Sequence, residues 1–597
     1  MITYFRLAFG LACVLAPGWA LARAFGRRSA SAVIAWALAA QFVAWAVVFA
    51  VHSNVKAVVL ILAVITIAAV FRRAGERGAL REPGTLVVGF VLGLLLWHVA
   101  GPVVGDGLFH EGRVRKLLDL GDLHLRTVDE FRDGGLHPGY AFPLWHGLLA
   151  CIAWCSGLDP DTVLRHLPSL LAPPACVVAW EAGVAVFRSR WAGWAVLTAQ
   201  LAMFCFGPGH GGSWATLAQP GAASRQLLVP AAIALFFGGG LVETGLIFGA
   251  LTLTHPTYAV FLLIPLLPVA WRDRREYLAA VVPTAAALLW LRPIADQAVA
   301  HNPGAGERAR GLHQYASQLV IENDHHFRLA PQVFGRSGAV AVAALVLLPV
   351  CGLALRRWGA FVLGGFLLVL LLMEVPWAFV HFSDAVSLSQ ARRAAGFAPF
   401  PFAFAGALAL LVRRVWLVPA ALVAGIVLQR LWPGDFEAGL THGGPAAATW
   451  IALLGGAAAL VVALVRRVEL RERFALGAAA AACFALPVVV HGLWHWSPEP
   501  KADPQALSPQ LVHELRTRVP EGSILIAPLQ VSYRVVAAAP LYVAAAPVAH
   551  VANTRANDPY RRAKAVLHWM KTGDPAVPRR FHATWAIKGG RLYRLPR

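Results

Sequence analysis

Long apolar runs separated by short polar links fill most of the chain. Apolar stretches recur from 3–22, 31–51, 55–71 and 85–104 through to 447–465 and 475–495. A helix needs roughly 20 such residues to cross a hydrocarbon core. Several runs are shorter or carry Pro and Gly, so the pattern predicts about 14 to 16 spans, some of them kinked or broken. The expected fold is an all-α polytopic membrane protein. Three regions differ in polarity: 1–101, an amino-terminal group of helices with short links; 102–495, the main membrane module with long polar loops; and 496–597, a small soluble domain reached through Ser497-Pro498-Glu499-Pro500.

The last region changes period. Pro509 to Val519 has a helical pattern, and Ser523 to Ala527 and Leu541 to Ala545 read as buried strands. A helix is expected at Pro559–Lys571. A hairpin follows, with strands at 583–587 and 591–595 and its turn at Lys588-Gly589-Gly590. The prediction is a small α/β domain.

Composition narrows the class. Of 597 residues, 58% are apolar and only 14% charged, against about a quarter charged in soluble proteins. The excess of 52 Lys and Arg over 31 Asp and Glu is not spread evenly: Arg27-Arg28, Arg72-Arg73, Arg188/Arg190, Arg272/Arg274/Arg275, Arg356-Arg357, Arg413-Arg414 and Arg466-Arg467 sit in short loops. Loop arginines of this kind mark the cytoplasmic face. The topology counted from them puts the Asp106 loop, the loops 207–225, 292–336, 378–396 and 433–446, and the tail after His495 on the extracytoplasmic side of a plasma or inner membrane. The count closes if 141–157 is re-entrant or juxtamembrane rather than a crossing; its Pro143, Trp145 and His146 suit an interface. The seven cysteines all sit in apolar runs and read as small core hydrophobes. Membrane lipids are expected partners and nucleic acid is not.

Against this background the charged cluster Gly105-Asp106-Gly107-Leu108-Phe109-His110-Glu111-Gly112-Arg113 stands out. It follows the run 88–104 and opens a polar loop at the edge of the membrane, where ionisable groups are costly. Asp106 can accept a proton from a hydroxyl. His110 and Arg113 are three apart on one helix face, suited to an anion. The same residues suit a capping Asp with solvated charges around it. His137-Pro138-Gly139-Tyr140 through Pro143, Trp145 and His146 adds two histidines to an aromatic, Pro-rich segment that also fits an interfacial belt.

This loop, its Gly121-Asp122 turn, the His137–His146 segment and Arg165-His166-Leu167-Pro168-Ser169 together resemble the integral-membrane glycosyltransferases of the GT-C fold superfamily. The resemblance implies that a carboxylate of the first large outer loop, here Asp106, activates the acceptor, and that the donor is a sugar on a polyprenyl phosphate. The acceptor would be an extracytoplasmic glycan, lipid or protein of the cell envelope. Asp106 lacks the adjacent acidic partner of several branches, which leaves a divalent cation open. At least four helices precede the loop, more than the single one of many members, which points to a divergent bacterial subfamily.

Other outer loops offer groups for a phosphate. Gly207–Trp214 is a glycine-rich turn whose amides could approach an anion, and Arg225 follows it. His255-Pro256 breaks an apolar stretch, as helices do where they line a cavity. The loop 292–336, with His301, Arg308, Asp324, His325 and His326, reads as a mobile cover over substrate and not as a metal site. Arg392-Arg393 breaks the inward bias of arginine and suits bidentate phosphate binding. The expected substrate-binding set is therefore His110, Arg113, His137, Tyr140, His146, Arg225, His255, Arg392 and Arg393. A lipid-linked glycan flippase would place its charges near the midplane, whereas here they gather at one surface, which favours an enzyme. A non-catalytic accessory subunit on the same fold remains the other alternative.

Overall fold

The structure, a computed structural model, describes residues 1–72, 82–298, 305–354, 356–433, 444–466, 470–497, 502–548 and 551–596. Arg73, His301, Arg467 and the linker residues 498–501 lie outside them.

Among the described residues, nine helices are long and apolar enough to cross a membrane, beginning with Ile2–Ala24 and Ala30–Ala50 and ending with Phe474–Trp494. Seven further apolar helices have 10–17 residues, which at about 1.5 Å per residue reach less than a 30 Å core. Two of these, Leu241–Thr254 and Pro256–Leu266, run in series. Between them His255 takes an extended conformation (φ −157°, ψ 90°), because Pro256 has no N–H to continue the helix and restricts the residue before it.

Without a hydrophobic drive between apolar helices in lipid, small residues let backbones approach closely. Gly89 and Gly93 do this on Pro83–His98, which packs against Pro160–Phe187. A Cβ on Gly93 would stand 2.2 Å from the Ser169 carbonyl oxygen. Gly93→Leu is therefore expected to lower the melting temperature in detergent, at a cost of about 1–3 kcal/mol or more for overpacking, while Leu92→Met in the same helix is nearly neutral. At the other end of Pro160–Phe187, Glu181 accepts hydrogen bonds from the Ala30 and Ser31 amides at 2.8 and 2.9 Å. These are two of the orphan donors at the start of Ala30–Ala50.

The segment 141–157 contributes Leu144–Ser156, whose 13 residues span about 20 Å. Its start is enclosed by protein. Trp145 and His146 are 2% and 1% exposed, and the Trp145 indole donates to the Ala218 carbonyl at 2.8 Å. The described part of the loop 292–336 holds regular structure. It contains an antiparallel hairpin, β1 (Leu319–Asn323) with β2 (His326–Leu329), and His326 faces Glu322 at 2.7 Å.

The chain ends in a four-stranded sheet of order β4-β3-β5-β6. Here β3 is Ile524–Ile526, β4 Tyr542–Val543, β5 Trp585–Lys588 and β6 Arg591–Arg594. β3 pairs in parallel with β4 and β5, and β5 and β6 form the antiparallel hairpin. Between β3 and β4 runs a helix, Leu529–Ala538, that the sequence pattern did not predict. This helix packs on Asp106–Asp119, where Leu108 and Phe109, together with Phe131 of the following loop, cluster with Tyr533, Val536 and Ala537. Polar ties reinforce the contact. Arg115 donates to the Ala537 carbonyl at 2.7 Å, Arg516 to Asp159 at 2.9 Å and Arg562 to Asp133 at 2.7 Å. The end of the chain is thus built onto the Asp106 loop.

Candidate active site

Gly105 turns the chain into the Asp106 helix with φ +56°, a conformation open to glycine at little cost. Asp106 is the first helical residue and is solvent-exposed. The helix N-terminus favours its negative charge. A Cβ on Gly107 would approach Val103 Cγ1 to 2.7 Å and Gln219 Nε2 to 3.2 Å, so glycine here lets the helix start lie against both.

Asp106 opens onto a cavity of about 770 Å³ that is also lined by His110, His137, Tyr140, His255 and Arg393. Six of the ten residues singled out in the sequence thus share one wall-to-wall space, although they come from four separate stretches of chain. Thr257, Asp384 and Gln390 join them from the membrane module, and Ala552 and Asn553 from the terminal region.

The aromatic and imidazole rings brace one another. His137 and Tyr140 have centroids 4.9 Å apart, and His110 and Tyr140 5.3 Å. The Gly139 amide donates to His137 Nδ1 at 3.0 Å, so the neutral imidazole carries its proton on Nε2. His255 Nδ1 lies 2.9 Å from the Thr257 hydroxyl, which reaches Gln390 at 3.3 Å. His255 also stacks on Tyr258 at 3.9 Å.

Four predicted residues stand elsewhere. His146 lies behind the wall, with its Nε2 3.0 Å from His110 Nδ1; one ring must donate and the other accept, so the two rings cannot both be protonated. Arg113 is 1% exposed and is consumed by internal partners. It bonds to Asp129, lies 3.4 Å from Glu130 and donates to the Tyr140 carbonyl at 3.2 Å, so it props up the loop and does not face the cavity. Arg225 is set back, donating to the Tyr258 hydroxyl at 3.4 Å. Arg392 covers the Tyr315 ring at 4.2 Å and donates to Gln318 at 3.0 Å. Neither arginine is on the cavity wall, although the Nε of each has no hydrogen-bond partner among the described residues. The glycine-rich turn 207–214 is also absent from the wall. Its Gly209, Gly211 and Gly212 have positive φ, and Trp214 beneath them is fully buried. Among the described residues no group of three or more His, Cys, Asp and Glu side chains could hold a metal ion.

Burial pushes the His110 imidazolium down from its usual range to about 3, with Asp106 opposing and Arg113 assisting the shift. His137 is displaced in the same direction by enclosure and by Arg113, His110 and His255. A depressed folded pKa stabilises the fold above the unfolded value near 6.5, and this contribution is lost as the pH falls from there towards 3. The melting temperature is therefore expected to fall between pH 6.5 and 4.5, with a shallower slope in His110→Gln. Identical slopes would mean that His110 is not buried neutral.

No family model matches this chain, and no curated protein matches it.

Proposed function

We propose that this multi-pass membrane protein is an extracytoplasmic glycosyltransferase of the GT-C kind, using a polyprenyl-phosphate sugar as donor. The observation that carries the reading is the convergence of Asp106 with three histidines, Tyr140 and Arg393 on one cavity in a chain built of apolar helices. In this reading an acceptor hydroxyl attacks the anomeric carbon while its proton passes to the Asp106 carboxylate. The bond from that carbon to the phosphate oxygen breaks, and the departing phosphate is met by Arg393 and by N–H donors such as His137 Nε2. Arg225, beside Tyr258, and Arg392, over Tyr315, add positive potential from off the wall.

The acceptor is an envelope glycan, lipid or protein, and the cavity's place at the ends of the helices remote from the Arg27-Arg28 and Arg272–Arg275 loops supports an extracytoplasmic site. The test is transfer of a labelled sugar from synthetic polyprenyl phosphates by the purified protein in lipid nanodiscs, wild type beside Asp106→Asn. Transfer that is equal in both removes Asp106 as the base, and transport without any transfer replaces the enzyme with a flippase.

A further inference from the structure

Beside the Asp106 cavity, across one helix, lies a second space of different chemistry. Arg274–Ala295 presents Leu288, Leu291 and Arg292 to the first cavity and Ala286, Ala287 and Trp290 to a slot of about 880 Å³. Phe42 and Phe49 of Ala30–Ala50 and Leu253 of Leu241–Thr254 form its other walls. The slot follows Ala30–Ala50 from Leu38 to Ala50, about 18 Å at the helical rise, or more than half the depth of a hydrocarbon core.

The slot is apolar along this length and polar only at one end, where His124 and Arg126 close it. This is the end away from Arg27-Arg28 and Arg272–Arg275, and so the end nearest the Asp106 cavity; Leu136 lines the slot while the next residue, His137, lines the cavity. Arg126 is exposed, and its guanidinium has no ion pair or hydrogen bond among the described residues. A neighbouring ring, Trp290, is 41% exposed, as an interfacial anchor would be.

An unpartnered cation at the mouth of a chain-length apolar slot fits one occupant. We propose that the slot between Ala30–Ala50, Leu241–Thr254 and Arg274–Ala295 holds a single bilayer lipid with an anionic headgroup, its chain against Phe42, Phe49 and Leu253 and its phosphate on Arg126. The assignment does not depend on sugar transfer. It requires only that the helices stand in a membrane.

The test uses the full chain in nanodiscs doped with a phosphatidylglycerol carrying a diazirine in its acyl chain, with labelled peptides mapped by mass spectrometry. Label is expected on the slot walls, to fall about fivefold in Arg126→Gln, the loss expected for one surface charge near a lipid phosphate, and to vanish in Ala46→Phe, which fills the slot. Inorganic phosphate should not compete, since the chain supplies the holding surface. Matching melting temperatures for the three proteins establish that the variants are folded, and Arg126→Gln alone, at an exposed position, keeps the test alive if Ala46→Phe is not. Equal labelling by the phosphatidylcholine analogue, or labelling indifferent to Arg126→Gln, would mean ordinary boundary lipid and overturn the assignment.

Discussion

Asp106→Asn is expected to lower sugar transfer by about 10²–10⁴-fold, the span of a general base's contribution, with little change in melting temperature. The side chain is exposed to the cavity, so exchanging one carboxylate oxygen for an amide alters proton acceptance and leaves packing alone. The loss should fall on kcat and kcat/KM together, the pattern of an interaction realised in the transition state. His110→Gln, one turn along the same helix, should cost less, because its ring is tied to His146 and shapes the wall rather than taking the proton. A fall in KM-dependent rates alone, with kcat intact, would recast Asp106 as a binding group.

The second large effect concerns stability. Arg113→Leu removes the partner of two enclosed carboxylates, Asp129 and Glu130, and breaking such a pair on one side costs about 3–5 kcal/mol. The expected readout is a strongly lowered melting temperature or loss of folded protein. Arg113→Met combined with Asp129→Leu should recover much of that loss, since matched removal of both charges is often neutral. Were Arg113 a substrate holder, as the His110–Arg113 spacing suggests, the single variant would melt normally and raise KM.

Arg113 also marks where the sequence stops being legible. A helical spacing of three shows that His110 and Arg113 leave the helix on one side. It does not say that Asp129 and Glu130, sixteen and seventeen residues on and outside any helical period, would claim the guanidinium first. The apolar runs and the His255-Pro256 break were readable because they obey local rules of length and of proline's missing donor. Asp106, His137, Tyr140, His255 and Arg393 could be picked out as polar groups at the ends of apolar helices, where burial is costly. Tyr258, Thr257 and Gln390 could not. An aromatic and two neutral side chains carry no charge signal, and only folding brings Thr257 and Gln390 to the wall and stacks Tyr258 on His255. Trp145 shows the same limit: its Pro-rich setting reads as an interfacial ring, and nothing local tells that its indole finds the Ala218 carbonyl inside the protein.

The terminal region was the least legible. Its strands could be read from period and turn residues, but its docking could not, because the groups that meet are hundreds of residues apart and neither side has a local reason to be there. The bond from Arg115 to Ala537 joins positions separated by 422 residues. During synthesis at about 5–20 residues per second, the Asp106 helix must wait on the order of 20–80 s for that partner to emerge. Until then Leu108 and Phe109 lack the cover of Tyr533, Val536 and Ala537, and a ribosome stalled before the Leu529–Ala538 helix is made would leave a nascent chain with its membrane helices inserted and this part of the apolar face open to chaperones and proteases.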